Sequence, residues 1–381
     1  MASPAPSLSI GIEEEYMLVD PVTRELISSP DPAFLAACKE ALGSNASREL
    51  LQAQVEVGTS VCPDIAAARA ELVRLRGTVG GIARRHGMAI IAASTHPTAR
   101  WTAQQSSEEE RYQSLTDDFQ LLARRQVISG MHVHAAIEDE DLRIDLMNQV
   151  GYFLPHLLAL STSSPFWRGQ DTGLKAIRPT IANDLPRSGT PERFSSWRDW
   201  QLLVEQLAST GLCDDATQIW WDIRPSARYP TLELRITDVC TGLEDALAIA
   251  ALYQSLLRHL WRLGQRNLSW RSYRAVLIEE NKWRAQRWGV TAELADLAAG
   301  RLSPMATLID ELLELLGEDA GELGCRAELE RTREIVAGGT SADRQLTIHR
   351  GVIANGGSAE DGHRAVVDWL VETTLAGVPA A

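Results

Sequence analysis

From Leu8 to Val19 the chain is an apolar segment interrupted by three successive carboxylates, Glu13, Glu14 and Glu15. A strand turns successive side chains to opposite faces, so Glu13 and Glu15 point one way and Glu14 the other. The same alternation returns in Gln52–Val57, Gly130–Ala135 and Thr231–Ile236. In each, apolar residues share one face. The opposite faces carry Gln52, Gln54 and Glu56; His132 and His134; Glu233 and Arg235.

Between these strands lie helical periods. Asp64 can cap a helix whose apolar positions are Ile65, Ala68, Leu72, Leu75, Val79 and Ile82, ending before Gly87. Gly77, Gly80 and Gly81 weaken its second half and predict a kink or a close approach there. Leu142–Leu160, Leu243–Leu263, Ala306–Leu316 and Arg364–Leu375 carry similar stripes. Helices interspersed with half-polar strands predict an α+β protein whose sheet packs its helices on one face. The other face is then free to act. Short Gly/Pro clusters look like loops within one fold, so residues 1–381 are expected to form a single domain, with a helical C-terminal part from about 300.

Composition narrows the function. The 381 residues are 45% hydrophobic and 23% charged, values of a folded globular protein with a substantial core. A net charge of −14, from 51 acidic and 37 basic residues, argues against nucleic acid or an anionic membrane as the main partner. Five scattered cysteines without a C-x-x-C pair fit a reducing compartment, and no export signal or membrane-spanning run is visible. A cytoplasmic enzyme is expected, with a homodimer or larger assembly as the default for that size.

Two carboxylates on one face of a buried strand repel each other and lose solvation, at a cost of several kcal/mol. A divalent cation offsets that cost. Glu13, Glu15, Glu56, His132 and Glu233 gather on polar strand faces, with Glu49 and Asp222 close in sequence. Oxygen donors with an occasional imidazole suit Mg²⁺ or Mn²⁺ better than zinc. Such ions bridge phosphate oxygens, which implies a nucleotide substrate. Neither a P-loop nor a strand–GxGxxG–helix unit is present. Phosphate contacts then fall to Arg235, Arg224, Lys282, Arg284 and Arg287.

Plainer readings stand beside these. His134 could be a structural neighbour of His132, Glu233 and Arg235 a simple ion pair, Glu280 and Arg284 an i,i+4 helix pair, and Trp220-Trp221 packing. On residue chemistry alone, a metal-dependent hydrolase or a non-catalytic nucleotide- or amino-acid-binding protein remains open beside an enzyme that uses ATP.

Nine segments in order resemble the type 2 glutamate–cysteine ligase family, the YbdK-like carboxylate–amine ligases. They are Gly11–Tyr16, Gln52–Thr59 with Cys62, Ser94–Trp101, Gly130–His134, Ser164–Gly173, Trp221–Ser226, Glu233–Arg235, Glu280–Trp283 and Ala342–Gln345. The resemblance spans nearly the whole chain. It implies a glutamine synthetase-like fold, a curved and mainly antiparallel sheet cradling ATP and metal ions. It also implies the reaction: ATP activates a carboxylate, glutamate favoured, as an acyl phosphate, and cysteine or another amine captures it as an amide. Metal ligands by resemblance are Glu13, Glu15, Glu56, His132 and Glu233, with Glu49 as a further acid that falls off the strand alternation. Glu56, Glu233 and Arg235 would be catalytic, Arg235 by contacting the transferred phosphate. Tyr16, Thr172, Arg178 and Arg224 lie near the motifs and are candidates for amino-acid contacts; Leu174 stands where the family often has an aromatic.

Overall fold

In the computed structural model, which describes residues 5–379, seven antiparallel strands form the main sheet. These are β1 (Ile10–Val19), β2 (Ala46–Arg48), β3 (Gln54–Gly58), β4 (Ala89–Ile91), β5 (Met131–Ala136), β6 (Ile223–Pro225) and β7 (Thr231–Leu234). Their order is β6-β7-β5-β1-β3-β2, and β4 pairs with Met17–Val19 of β1 where β5 has left it. The predicted strands are present, with ends shifted by one or two residues.

Alternation decides what each face meets. Ile10, Ile12, Tyr16, Val55, Val57, Val133, Ala135, Leu232 and Leu234 point into one contiguous core. Helix α1 (Ile65–Arg85) covers it with Ile65, Ala68, Leu72, Leu75, Val79 and Ile82, all buried. Its cap is as predicted, the Asp64 carboxylate accepting from the Ala67 amide at 2.8 Å. The glycines do not break α1. A Cβ at Gly80 would come within 2.9 Å of Leu375, and one at Gly77 within 3.1 Å of Val378, so the chain's last segment packs close over them.

After α1 follow α2 (Glu110–Phe119), α3 (Leu243–Gln265), α4 (Ala275–Trp288), α5 (Met305–Glu322), α6 (Arg326–Gly338), α7 (Ser341–Ala354) and α8 (Ala359–Thr374), with further helices between α2 and α3, among them Trp197–Ser209. Helices α5 and α6 add Leu308, Ile309, Leu316, Leu329 and Ile335 to the main core. Helices α7 and α8 place Leu346, Val366, Val367 and Leu370 beside Met17, Val19 and Ile91. One expected helix is divided: Leu142–Leu160 becomes Glu140–Val150 and Leu154–Ser161, joined by a 3-10 turn at Gly151–Phe153. Pro155 is the reason, since it lacks an N–H and tolerates only a first helical turn. Among the described residues no helix is long and apolar enough to cross a membrane.

Glu14 is the exception on the inner face. It is fully buried, and Arg76 of α1 holds it with Nη2–Oε1 at 2.5 Å and Nε–Oε2 at 2.9 Å. The Tyr16 hydroxyl donates to the same carboxylate, and Arg76 also donates to the carbonyls of Cys240, Thr241 and Thr374. This network fixes which way β1 faces, and therefore turns Glu13 and Glu15 outward.

Candidate active site

Register brings the outward acids together. Glu15 lies opposite Glu56, Glu13 opposite His132, and Glu233 opposite His134. Directly opposed side chains on one face stand about 4.5–5.5 Å apart at Cβ. Above them opens a cleft of about 1170 Å³ that these residues line. That exceeds the ~300–1,000 Å³ of ordinary small-molecule pockets, leaving room for a nucleotide and a second substrate.

Glu13 sits between two imidazoles. Its Oε2 is 3.1 Å from His132 Nδ1, and its Oε1 is 3.4 Å from His134 Nε2. Burial alone would raise its pKa, but the two histidines outweigh burial and hold the carboxyl well below its usual range. Burial, with Arg235 nearby, lowers the pKa of His132, so its ring is neutral near pH 7. With Nδ1 donating to Glu13, the lone pair of His132 falls on Nε2, which is buried and has no hydrogen-bond partner. A neutral imidazole oriented by a carboxylate is the form that binds metals. His134 donates or accepts at Thr231 Oγ1 through Nδ1 (2.9 Å), and its pKa is raised because Glu13 and Glu233 outweigh burial.

The second cluster carries excess negative charge. Glu15, Glu49 and Glu56 bring carboxylate oxygens within 4.8 Å of one another. Burial, then Glu13 and Glu15, push Glu56 up to about 7; burial, then Glu15 and Glu56, raise Glu49 well above its usual range. Glu49 reaches the cluster from the bend after β2, where its own carboxylate accepts from the Leu50 amide at 2.9 Å. Two more sets obey the same distance: Glu13, Glu56 and His132, and Glu13, His134 and Glu233. Shared Glu13 and Glu56 link all three into one strip. The donors are mostly carboxylate oxygens with two imidazoles, a composition that fits hard divalent cations. His134, placed on this face by the sequence but not among the expected ligands, joins the strip with Glu13 and Glu233.

The basic residues divide into two groups. Arg235 donates through Nη1 to Glu233, and Arg224 grips the same carboxylate with Nε–Oε2 at 3.0 Å and Nη2–Oε1 at 3.2 Å. Burial would raise Glu233, but Arg235 and Arg224 outweigh it and lower it, so it stays ionised. Arg224 Nη1 is spent on the carbonyls of Ala216, Thr217 and Ile219, which makes it a clamp on Glu233 rather than a free phosphate donor.

Lys282, Arg284 and Arg287, expected to reach phosphate, do not line the cleft. Lys282 is buried against Asp222 at 2.6 Å, Arg284 pairs with Glu280 and the Glu293 carbonyl, and Arg287 donates to the Gly173 carbonyl. Two expected amino-acid contacts also move elsewhere. Tyr16 lies under the sheet with Glu14, and Thr172 bonds the Pro165 carbonyl. Gln54 does line the cleft but ties down the Ile128 carbonyl and Ser129. Both tryptophans line the cleft: Trp221 packs against Phe194 and Trp200 of the core, and Trp220 meets Phe119 edge-on at 5.8 Å.

The chain is an ATP-dependent carboxylate–amine ligase, as its relatives show. Within that class the chain belongs to glutamate–cysteine ligase family 2, whose profile matches residues 9–368. It is 50% identical over 379 residues to a Rhodospirillum rubrum protein named "Putative glutamate--cysteine ligase 2", covering 98% of this chain and 97% of that one. A Jannaschia protein of the same name is 49% identical over 364 residues, 96% of each chain. Among solved structures, a glutamate–cysteine ligase from Francisella tularensis in complex with AMP superposes with a TM-score of 0.66 at 14% identity, over 97% of this chain and 90% of that one. A bifunctional glutathione synthetase from Pasteurella multocida gives 0.68 at 16% identity, over 96% of this chain and 52% of that one. At those identities the likeness concerns the fold.

Proposed function

We propose that the chain uses ATP with Mg²⁺ or Mn²⁺ to activate the carboxylate of an amino acid, glutamate favoured, as an acyl phosphate, which cysteine or another amine captures as an amide. The observation that carries this reading is the strip of three overlapping donor sets across Glu13, Glu15, Glu49, Glu56, His132, His134 and Glu233. Divalent cations there supply charge neutralisation and alignment for the triphosphate.

The chain's own groups do the rest. Arg235, at the rim of the strip and engaged through Nη1, has further N–H groups with which to meet the charge on the transferred phosphoryl group. Arg224 keeps Glu233 ionised and in place. Phosphoryl transfer asks a protein for positioning and charge neutralisation, so no covalent nucleophile is needed. All five cysteines are buried, which fits that route.

The test is ADP release by purified protein from Mg²⁺-ATP across a matrix of carboxylate donors and amines, with products weighed. Release that requires both a carboxylate and an amine supports ligation. Release with neither added contradicts it.

A pH dependence follows from the acid cluster. The folded-state pKa of Glu56, about 7, lies above its unfolded value near 4.3. The contribution of Glu56 to metal-free stability is therefore fully present below about pH 4 and falls as pH rises toward 7, where the folded protein would lose that proton. Cations need the deprotonated acids, so their effect has the opposite sign. The melting temperature should rise more on adding Mn²⁺ at pH 8 than at pH 5.5, by thermal unfolding with and without the ion. An equal rise at both values would count against cation binding by this cluster.

A further inference from the structure

We propose that Lys282, which lies outside the cleft, is a positioning residue: by pinning Asp222 it holds the backbone bulge from which Arg235 enters the acid strip. This rests on the ligase reading above and adds the group that places its phosphoryl-facing guanidinium.

Lys282 sits on α4 and is only 2% exposed, with Nζ 2.6 Å from Asp222 Oδ2. Among the described residues the other acid within ion-pair distance is Glu279 of the same helix, at 3.9 Å. The helix is itself fixed at this turn. Asn281 donates to the Ala295 carbonyl at 2.9 Å and accepts from the Ala295 amide at 2.6 Å, and the Gln286 carbonyl accepts from the Lys175 and Ala176 amides. A buried ion pair adds little net stability, because desolvation cancels most of its attraction. What this pair does fix is where α4 meets the cleft wall.

Asp222 is that meeting point. It precedes β6, lines the cleft, and donates its amide to the Gly189 carbonyl at 2.8 Å. Its carbonyl accepts from two successive amides, Arg235 at 2.8 Å and Ile236 at 2.9 Å. Two residues opposite one make a β-bulge, which bends a strand and re-aims a side chain. The bulge closes the β6–β7 ladder directly after the Arg224–Glu233 and Ile223–Leu234 pairs. From it Ile236 enters the core, whereas Arg235 turns back to Glu233. Arg178 Nη1 donates to the carbonyls of the same two residues, so the bulge is held on both edges. The Asp222 carboxylate is tied to Lys282 and, at 3.3 Å, to Thr190 Oγ1. The placement of Arg235 is thus anchored to a helix that touches no substrate.

The test uses the full chain as wild type, the charge-balanced double variant Asp222→Asn with Lys282→Met, Arg235→Met, and the triple combination. ADP release gives kcat and the KM values for ATP and glutamate, with enzyme in excess where turnover is slow. Hydrogen exchange follows the Arg235 and Ile236 amides without any substrate. Loosening a partner that orients a working side chain should lower kcat about 10- to 100-fold and leave both KM values within about twofold. In the Arg235→Met background the same two substitutions should cost less than about twofold further, because the residue they act through is gone. Exchange at Arg235 and Ile236 should quicken in the double variant while β5 keeps its protection. A kcat near wild type in the double variant, or an equal drop with and without Arg235, overturns the proposal and leaves the pair a structural one. If wild type releases no ADP with any donor, the ligase reading fails separately. Hydrogen exchange then decides, and unchanged protection at Arg235 and Ile236 overturns the anchoring. Should the double variant not fold, Lys282→Arg, which keeps the charge but displaces Asp222, must quicken that exchange and lower kcat with both KM values unmoved; wild-type behaviour in both overturns the proposal.

Discussion

Replacing Glu56 by Gln is expected to abolish ATP-dependent ligation while leaving the fold intact. Glu56 belongs to two of the three donor sets, and its carboxylate is already strained by Glu13 and Glu15. The amide removes that repulsion and keeps the shape, so metal-free stability should hold or rise. It offers only a neutral oxygen to a cation. Partners that merely orient metal ligands cost about 10- to 100-fold when removed, and a shared ligand should cost more than about a hundredfold. Steady-state ADP release beside a circular-dichroism melt checks both halves. A folded variant with near wild-type turnover would remove Glu56 from the site.

The largest effect on stability is expected under the sheet. Arg76→Met would leave the Glu14 carboxylate buried and unpaired, and three backbone carbonyls would lose their donor. Breaking one side of a buried ion pair costs about 3–5 kcal/mol, a large share of the ~5–15 kcal/mol that holds a typical domain. The substitution of both partners, Glu14→Gln with Arg76→Met, should recover part of the loss, because no charge is then stranded. Urea unfolding of the single and double variants measures this. Equal losses would show that Arg76 acts through packing and its carbonyl contacts instead.

How far the site could be read from sequence follows from period and reach. Strand alternation placed Glu13, Glu15, Glu56, His132 and Glu233 on one face because each lies within a strand whose neighbours are apolar. Glu49 escapes that rule, since the chain has left β2 and turned before its side chain enters the cluster. The cations failed for a different reason. Lys282, Arg284 and Arg287 carry the charge a phosphate needs, but the partners of Lys282 and Arg287 are set by tertiary structure, Asp222 being sixty positions from Lys282, while Arg284 takes the local pair with Glu280. Charge in a sequence does not reveal which acid will be nearest. Arg178 is the converse case, because its place on the cleft wall, with Nε buried and lacking a hydrogen-bond partner, is visible only once the chain is folded. The sheet and its helices were legible for the same physical reason as the acids: periodic apolar positions must face a core. The break at Gly151–Phe153 was overlooked because the apolar stripe continues on both sides of it.

The most direct test of the ligase account is isotope transfer. Glutamate carrying ¹⁸O in its γ-carboxylate, incubated with Mg²⁺-ATP and an amine acceptor, should yield phosphate containing one ¹⁸O, because the carboxylate oxygen that attacks the γ-phosphoryl group leaves with it when the amine forms the amide. Unlabelled phosphate, released with or without glutamate, would mean that water attacks ATP directly, and would contradict the acyl-phosphate route proposed for this cleft.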